Sequence, residues 1–349
     1  MELRYLGRSG LRVSALTLGA MSFGTMGNAD GDDCIRIVHR ALDAGINTVD
    51  TADVYSAGAS EEIVGAALKG RRDDVVLATK CFNPMSRDAN ARGSSRRWII
   101  RACEDSLRRL DTDWIDLYQL HRPDEHTDID ESLDALSDLV RQGKVRAVGS
   151  STFPAERIVE AQWAAARRGA VPLRCEQPPY SVFVRGIERD VLPTCRRYGM
   201  GVLVWSPLNA GWLTGKYRAG ERPPDGSRFG RLDRGAWRYD APGADRKLDL
   251  VPHLEAVAHD AGIDLITLSV AFTLAHPAVS STIIGPRTLE QLESQLGAGD
   301  VRLDDVVLDR IDQLVAPGET ISRTDIGYEP EAIRRLDQRR LPTRAGASR

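Results

Sequence analysis

Eight short β-branched or apolar runs recur along the chain, and their ends fall at a nearly constant interval. The runs are ALTLG (15–19), INTVD (46–50), VVLATK (75–80), WIDLYQLH (114–121), VRAVGSS (145–151), LRCEQ (173–177), GVLVWS (201–206) and STIIG (281–285). Runs that are apolar throughout, rather than alternating, are expected of parallel strands covered on both faces. The strand ends step through Gly19, Asp50, Lys80, His121, Ser151, Gln177 and Trp205 at spacings of 31, 30, 41, 30, 26 and 28, one βα unit per step. Only the step from Trp205 to Gly285, 80 residues, breaks the period. Between the runs lie segments with 3.6-residue apolar spacing, among them DDCIRIVHRALDAG, SEEIVGAALKG and SRRWIIRACEDSLRRL. Several end at Gly, the favoured residue just past a helix, and Thr288 with Gln291 has capping-box spacing. Eight βα units with right-handed crossovers predict an α/β protein of closed (β/α)8 TIM-barrel type. An open doubly wound sheet also alternates β and α, but no G-x-G-x-x-G follows any strand, so the barrel is favoured.

One barrel domain is expected over residues 1–316, with a tail over 317–349. LRYLGRSGLRVS reads as an N-terminal β-hairpin plugging the barrel bottom. Residues 209–246, rich in Gly, Pro and Arg, read as a long loop inserted after the seventh strand, of the kind that serves as a lid. The tail is expected to fold in part over the barrel mouth, its last dozen residues disordered. With 42% hydrophobic residues and a net charge of −3, the chain resembles neither a disordered segment nor a nucleic-acid surface. Five cysteines (34, 81, 103, 175, 195) form no CxxC pair, so neither a disulfide framework nor a metal site is expected. No apolar run approaches ~18 residues, and Glu2 and Arg4 interrupt any secretory h-region. The expectation is a soluble cytoplasmic protein that engages no membrane; the oligomeric state is left open.

In a barrel the chemistry gathers at the carboxyl ends of the strands. Every strand here hands over to its loop with a notable group, and coincidence at six rims is a poor explanation. Tyr55 lies five residues after Asp50, on a polar loop and outside any apolar period. If Asp50, Tyr55, Lys80 and His121 converge, the ammonium of Lys80 lowers the phenol's ordinary pKa of ~10, while Asp50 keeps Lys80 charged. Such a phenol donates a proton to a carbonyl oxygen that His121 holds by a hydrogen bond. Proton donation to a carbonyl needs a hydride, which no side chain supplies, so a nicotinamide cofactor is implied.

These residues sit in longer motifs: TLGAMSFG, DTADVYSAGASEEIVG, WIDLYQLHRPD, GKVRAVGSSTF, VWSPL and STIIGPRTLEQLESQL. In order and spacing the chain resembles the aldo-keto reductase superfamily across roughly residues 3–315. The resemblance implies a catalytic tetrad of Asp50, Tyr55, Lys80 and His121, with Tyr55 as general acid. It implies that Ser151, Thr152 and Gln177 hold the nicotinamide carboxamide and that Trp205 stacks on the ring. Ser206 and Leu208 would line the pyrophosphate path, and Gly285, Arg287, Gln291 and Gln295 would surround the adenosine phosphate. Arg287 beside a capped helix N-terminus suits a 2′-phosphate, so NADPH is preferred, with NADH the runner-up.

The sequence departs from the family pattern at four places. Thr152 stands where Asn is usual, Trp205 where Tyr or Phe is commoner, and SPLNAG replaces SPLAGG at Asn209 and Ala210. The adenosine phosphate site lacks a Lys found in some relatives. By position, Met21, Phe23, Phe82, Trp98 and Trp212 form the expected substrate pocket, extended by Met26 and Tyr328. Residues 209–246 are expected to close over the cofactor, their arginines (218, 222, 228, 231, 234, 238) holding the pyrophosphate. The leading reading is a reductase of small-molecule aldehydes or ketones. Its alternatives are a cofactor-binding regulatory subunit with slow turnover and a Schiff-base aldolase using Lys80. A metal-dependent hydrolase is disfavoured, because neither H-x-H on the first strand nor HExxH is present.

Overall fold

All eight apolar runs form strands. The computed structural model of the chain describes residues 1–231 and 239–340. A two-stranded hairpin, β1 (Leu3–Tyr5) and β2 (Arg12–Ser14), precedes β3 (Leu16–Gly19), α1 (Gly31–Asp43), β4 (Thr48–Asp50), α2 (Ala59–Leu68), β5 (Val76–Cys81) and α3 (Arg96–Leu110). There follow β6 (Ile115–Leu120), α4 (Ile129–Arg141), β7 (Val145–Ser151), α5 (Ala155–Arg168), β8 (Cys175–Gln177), α6 (Val191–Tyr198) and β9 (Gly201–Val204). The chain continues through α7 (Arg228–Arg231), α8 (Ala244–Asp260), α9 (Leu265–Ala275), β10 (Ser281–Ile284), α10 (Leu289–Leu296), α11 (Asp305–Leu314), α12 (Glu331–Arg334) and α13 (Leu336–Arg339). Strands β3 to β10 close into a parallel barrel in which β10 pairs with β3. This is the (β/α)8 barrel with its N-terminal hairpin.

Helix ends follow the local chemistry. Asp30 and Ser95 accept backbone N–H groups at the starts of α1 and α3, and Gly169 and Gly199 take left-handed conformations after α5 and α6. The irregular 80-residue step holds α8 and α9. The expected loop 209–246 is shorter in fact, since α8 begins at Ala244. Helix α9, LITLSVAFTLA, is buried along most of its length and has no polar face, so its sequence carries no amphipathic period.

Period-two alternation sorts the barrel lumen into layers. Ala78, Leu117, Cys175, Leu203 and Ile283 pack with Leu6 and Val13 of the hairpin into one apolar cluster. Two residues further along three of these strands stand Lys80, Gln119 and Gln177, so the lumen is apolar at the bottom and polar towards its mouth. The hairpin loop presses against the barrel: a Cβ on Gly7 (φ +53°) would lie 2.3 Å from the Gly201 nitrogen.

The far end is partly roofed by the tail. The Arg185 and Ile321 amides donate to Glu319 and Phe183 carbonyls. Asp325 pairs with Lys247 (2.5 Å) and accepts from Asn209. All five cysteines are buried free thiols. Among the described residues no single helix is long and apolar enough to cross a membrane.

Candidate active site

Four side chains from three neighbouring strand ends meet at the mouth. Lys80, next to last in β5, has no exposed surface, and its Nζ donates to Asp50 Oδ2 (2.7 Å), the Thr51 carbonyl (2.6 Å) and the Tyr55 hydroxyl (3.4 Å). Burial works to lower the Lys80 pKa, but Asp50 and Tyr55 outweigh it and the net shift is upward. The ammonium is therefore kept, which removes the free amine that a Schiff-base mechanism needs. Asp50 is held in turn by Gln177 Nε2 (2.8 Å) and Gln119 Nε2 (3.4 Å).

His121 stands edge-on to Tyr55, ring centroids 5.8 Å apart. Burial, then Lys80 and Arg122, push its pKa well below the ordinary value, so the ring is neutral. Asn83 Nδ2 lies 3.2 Å from His121 Nδ1. An amide nitrogen only donates, so Nδ1 accepts and the ring proton sits on Nε2. Asn83 was not singled out from sequence; its one trace there is a polar residue three places after Lys80.

Asp50, Tyr55 and His121 open into a cavity of about 830 Å³ that Ser151, Gln177, Trp205, Ser206, Leu208, Gly285, Arg287, Gln291 and Gln295 also line. Thr152 does not reach it: its backbone is left-handed (φ 56°), and its hydroxyl donates to the Ser151 carbonyl (2.7 Å). Trp205 is pinned by its indole N–H to the Gln177 carbonyl (3.2 Å). Thr288 accepts the Gln291 amide, and the Gln291 side chain returns a bond from the Arg287 amide (2.8 Å). Among the described residues, six of the seven non-glycine residues with positive φ lie in loops at this mouth: Ser56, Ala57, Thr152, Ser206, Asn209 and Ala210. Such strain collects at functional sites.

Away from Tyr55 the cavity is lined by Lys216, Arg228, Arg231 and Arg287. Burial and then the neighbouring guanidinium groups lower the Lys216 pKa. Lys216 escaped the sequence reading, which looked for a Lys near Arg287 rather than in the loop after β9. Arg218 and Arg222 instead pair with Glu255 and Asp225 at the surface, and Arg234 and Arg238 lie outside the described residues.

The expected substrate pocket is largely corrected. Met21 and Met26 line the cavity. Phe23 is fully buried in the core, and Trp98 is buried in the first turn of α3. Phe82 does not line the cavity, and its neighbour Asn83 does. Trp212 lines a second cavity of about 500 Å³ beyond Trp205, roofed by tail residues including Tyr328, and stacks on Tyr239 at 5.2 Å.

The aldo/keto reductase family profile matches residues 15–316. An uncharacterized oxidoreductase of Bacillus subtilis, YrpG, is 39% identical over 95% of this chain and 99% of its own. A probable voltage-gated potassium channel subunit beta of Arabidopsis thaliana is 37% identical over 90% of this chain and 97% of its own. A putative aryl-alcohol dehydrogenase of Schizosaccharomyces pombe is 33% identical over 89% and 95%. With this barrel and these matches along almost its whole length, the chain belongs to the aldo/keto reductase family and is an NAD(P)H-dependent oxidoreductase.

Proposed function

We propose that the protein reduces an aldehyde or ketone to the alcohol with NADPH, Tyr55 giving the proton. The observation that carries this is the Lys80 ammonium, fixed by Asp50 and 3.4 Å from the Tyr55 hydroxyl, at the floor of an open cavity. The residues fit the cofactor. Lys216, Arg228, Arg231 and Arg287 crowd one arm, where mutual repulsion favours a polyanion. Gln177 keeps its carbonyl oxygen, and Ser151 its hydroxyl lone pairs, for a carboxamide. Trp205 offers a ring face for stacking. When bound, the nicotinamide supplies the hydride.

The chain's own groups do the rest. His121 Nε2–H donates to the carbonyl oxygen and polarises it. The Lys80 charge stabilises the phenolate that Tyr55 leaves behind, and Asp50 holds that charge in place. Residues of the loop after β9 fold over the cofactor arm and retain it. Arg287 reads the 2′-phosphate, its guanidinium suiting a doubly charged group.

NADPH oxidation against a panel of carbonyls, with Tyr55→Phe as control, tests the reading. The variant loses on the order of 10²–10⁴ in kcat while NADPH affinity stays nearly intact. Full activity in the variant would remove Tyr55 as the acid. Arg287→Ala raises KM for NADPH far more than for NADH; equal changes would dismiss its phosphate role. A second reading, a cofactor-bound subunit of another protein, is favoured by the relatives named potassium channel subunit beta. Tight NADPH binding with negligible turnover on every carbonyl would select it.

A further inference from the structure

Arg122 follows His121 at the mouth and lines both cavities, the one over Tyr55 and the one beyond Trp205. It is half-buried, and among the described residues its one hydrogen bond is from Nη1 to the His121 carbonyl (2.6 Å). Among the described residues no carboxylate lies within ion-pair distance, which leaves Nε and Nη2 without a protein partner. The other cations of the second cavity differ: Lys247 pairs with Asp325, and Arg323 with Glu329. An acid in the same region, Glu176, is buried under Ser150 and the Phe153 amide, and burial pushes its pKa up to about 8. It is mostly uncharged at neutral pH, so it does not balance the guanidinium.

A partly desolvated arginine with a free edge is built for bidentate contact with an oxyanion. Resting on the reductase reading, we infer that the substrate is a carbonyl compound bearing a carboxylate or phosphate, whose anionic group Arg122 binds while its carbonyl faces Tyr55 and His121. The apolar body then lies along Trp205, the aromatic partition between the two cavities.

Three para-substituted benzaldehydes of similar shape test this: 4-carboxybenzaldehyde, 4-formylphenyl phosphate, and the methyl ester of the first. Wild type is expected to favour one of the anions over the ester by about ten- to hundredfold in kcat/KM, chiefly through KM. The preferred anion says whether carboxylate or phosphate is meant. Arg122→Gln should abolish that preference, leave the ester within about threefold, and leave NADPH affinity unchanged, while Arg122→Lys restores part of it. An ester reduced as well as both anions overturns the inference and leaves the reductase standing. So does an Arg122→Gln variant that slows all three equally, or one that loses NADPH. If none of the three is reduced, the wider carbonyl panel decides the reductase reading separately. Quenching of tryptophan fluorescence by 4-(hydroxymethyl)benzoate then still decides: saturable binding that Arg122→Gln removes supports the anion site, and its absence overturns it.

Discussion

At the scale of single residues, the geometry of the candidate site fixes where protons sit. Lys80 has its three donor directions taken by Asp50, Thr51 and Tyr55, so its charge cannot wander. Asn83 performs the same service for His121, because its amide occupies Nδ1 and leaves the proton on Nε2. Asn83→Leu frees the ring to take the other tautomer. We expect kcat to fall by about tenfold with NADPH affinity unchanged, measured by steady-state turnover and fluorescence titration. An unchanged kcat would mean that something other than Asn83 sets the tautomer. The convergence of Asp50, Tyr55, Lys80 and His121 was legible in sequence because each lies at a strand end or follows one closely. Asn83 was not, since an Asn in a loop signals a turn as readily as a partner for a histidine.

At the scale of elements, the segment between β9 and α8 combines an aromatic cluster with a basic cavity lining. Trp212, Tyr217, Phe229 and Tyr239 form one aromatic cluster with ring centroids 5.2–6.0 Å apart. The same segment carries Lys216, Arg228 and Arg231 to the cavity. The aromatic cluster therefore anchors the basic arm. Trp212→Ala removes its centre, and aromatic contacts of this kind contribute about 0.5–1.5 kcal/mol each beyond burial. The NADPH dissociation rate, followed by stopped-flow fluorescence, should rise by about tenfold or more; an unchanged rate would detach the cluster from cofactor retention. Composition marked this stretch only as a loop, because its few aromatics are spaced without period. Helix α9 was hidden for the opposite reason, being apolar on every side. Phe23 and Trp98 show the same blindness: an aromatic residue in the stretch after a strand looks alike in sequence whether it faces the cavity or the core.

At the scale of the whole molecule, buried ionisable groups tie stability to pH. Burial, then the nearby Glu61, push Asp53 up to about 8, and both its carboxyl oxygens are buried without a hydrogen-bond partner. In the unfolded chain this carboxyl ionises near pH ~3.9. Between the two values the folded state holds the extra proton, so this contribution is whole in acid and fades as pH rises towards 8. His121 acts in the opposite sense, because its folded value is depressed and its contribution fades as pH falls below about 6.5. Asp53→Asn keeps the neutral shape. The free energy of unfolding in urea should then change with pH by about 1.4 kcal/mol per unit less steeply between about pH 5 and pH 7. An unaltered slope would show that Asp53 is already ionised in the fold. The placing of the five thiols reaches beyond stability. Cys34, Cys81, Cys103, Cys175 and Cys195 are all enclosed, and burial pushes their thiols up, that of Cys103 to about 12. Conjugated aldehydes capture proteins by alkylating thiolates. A catalyst whose every sulfhydryl is sealed inside its walls can meet such electrophiles at its mouth without being poisoned by them.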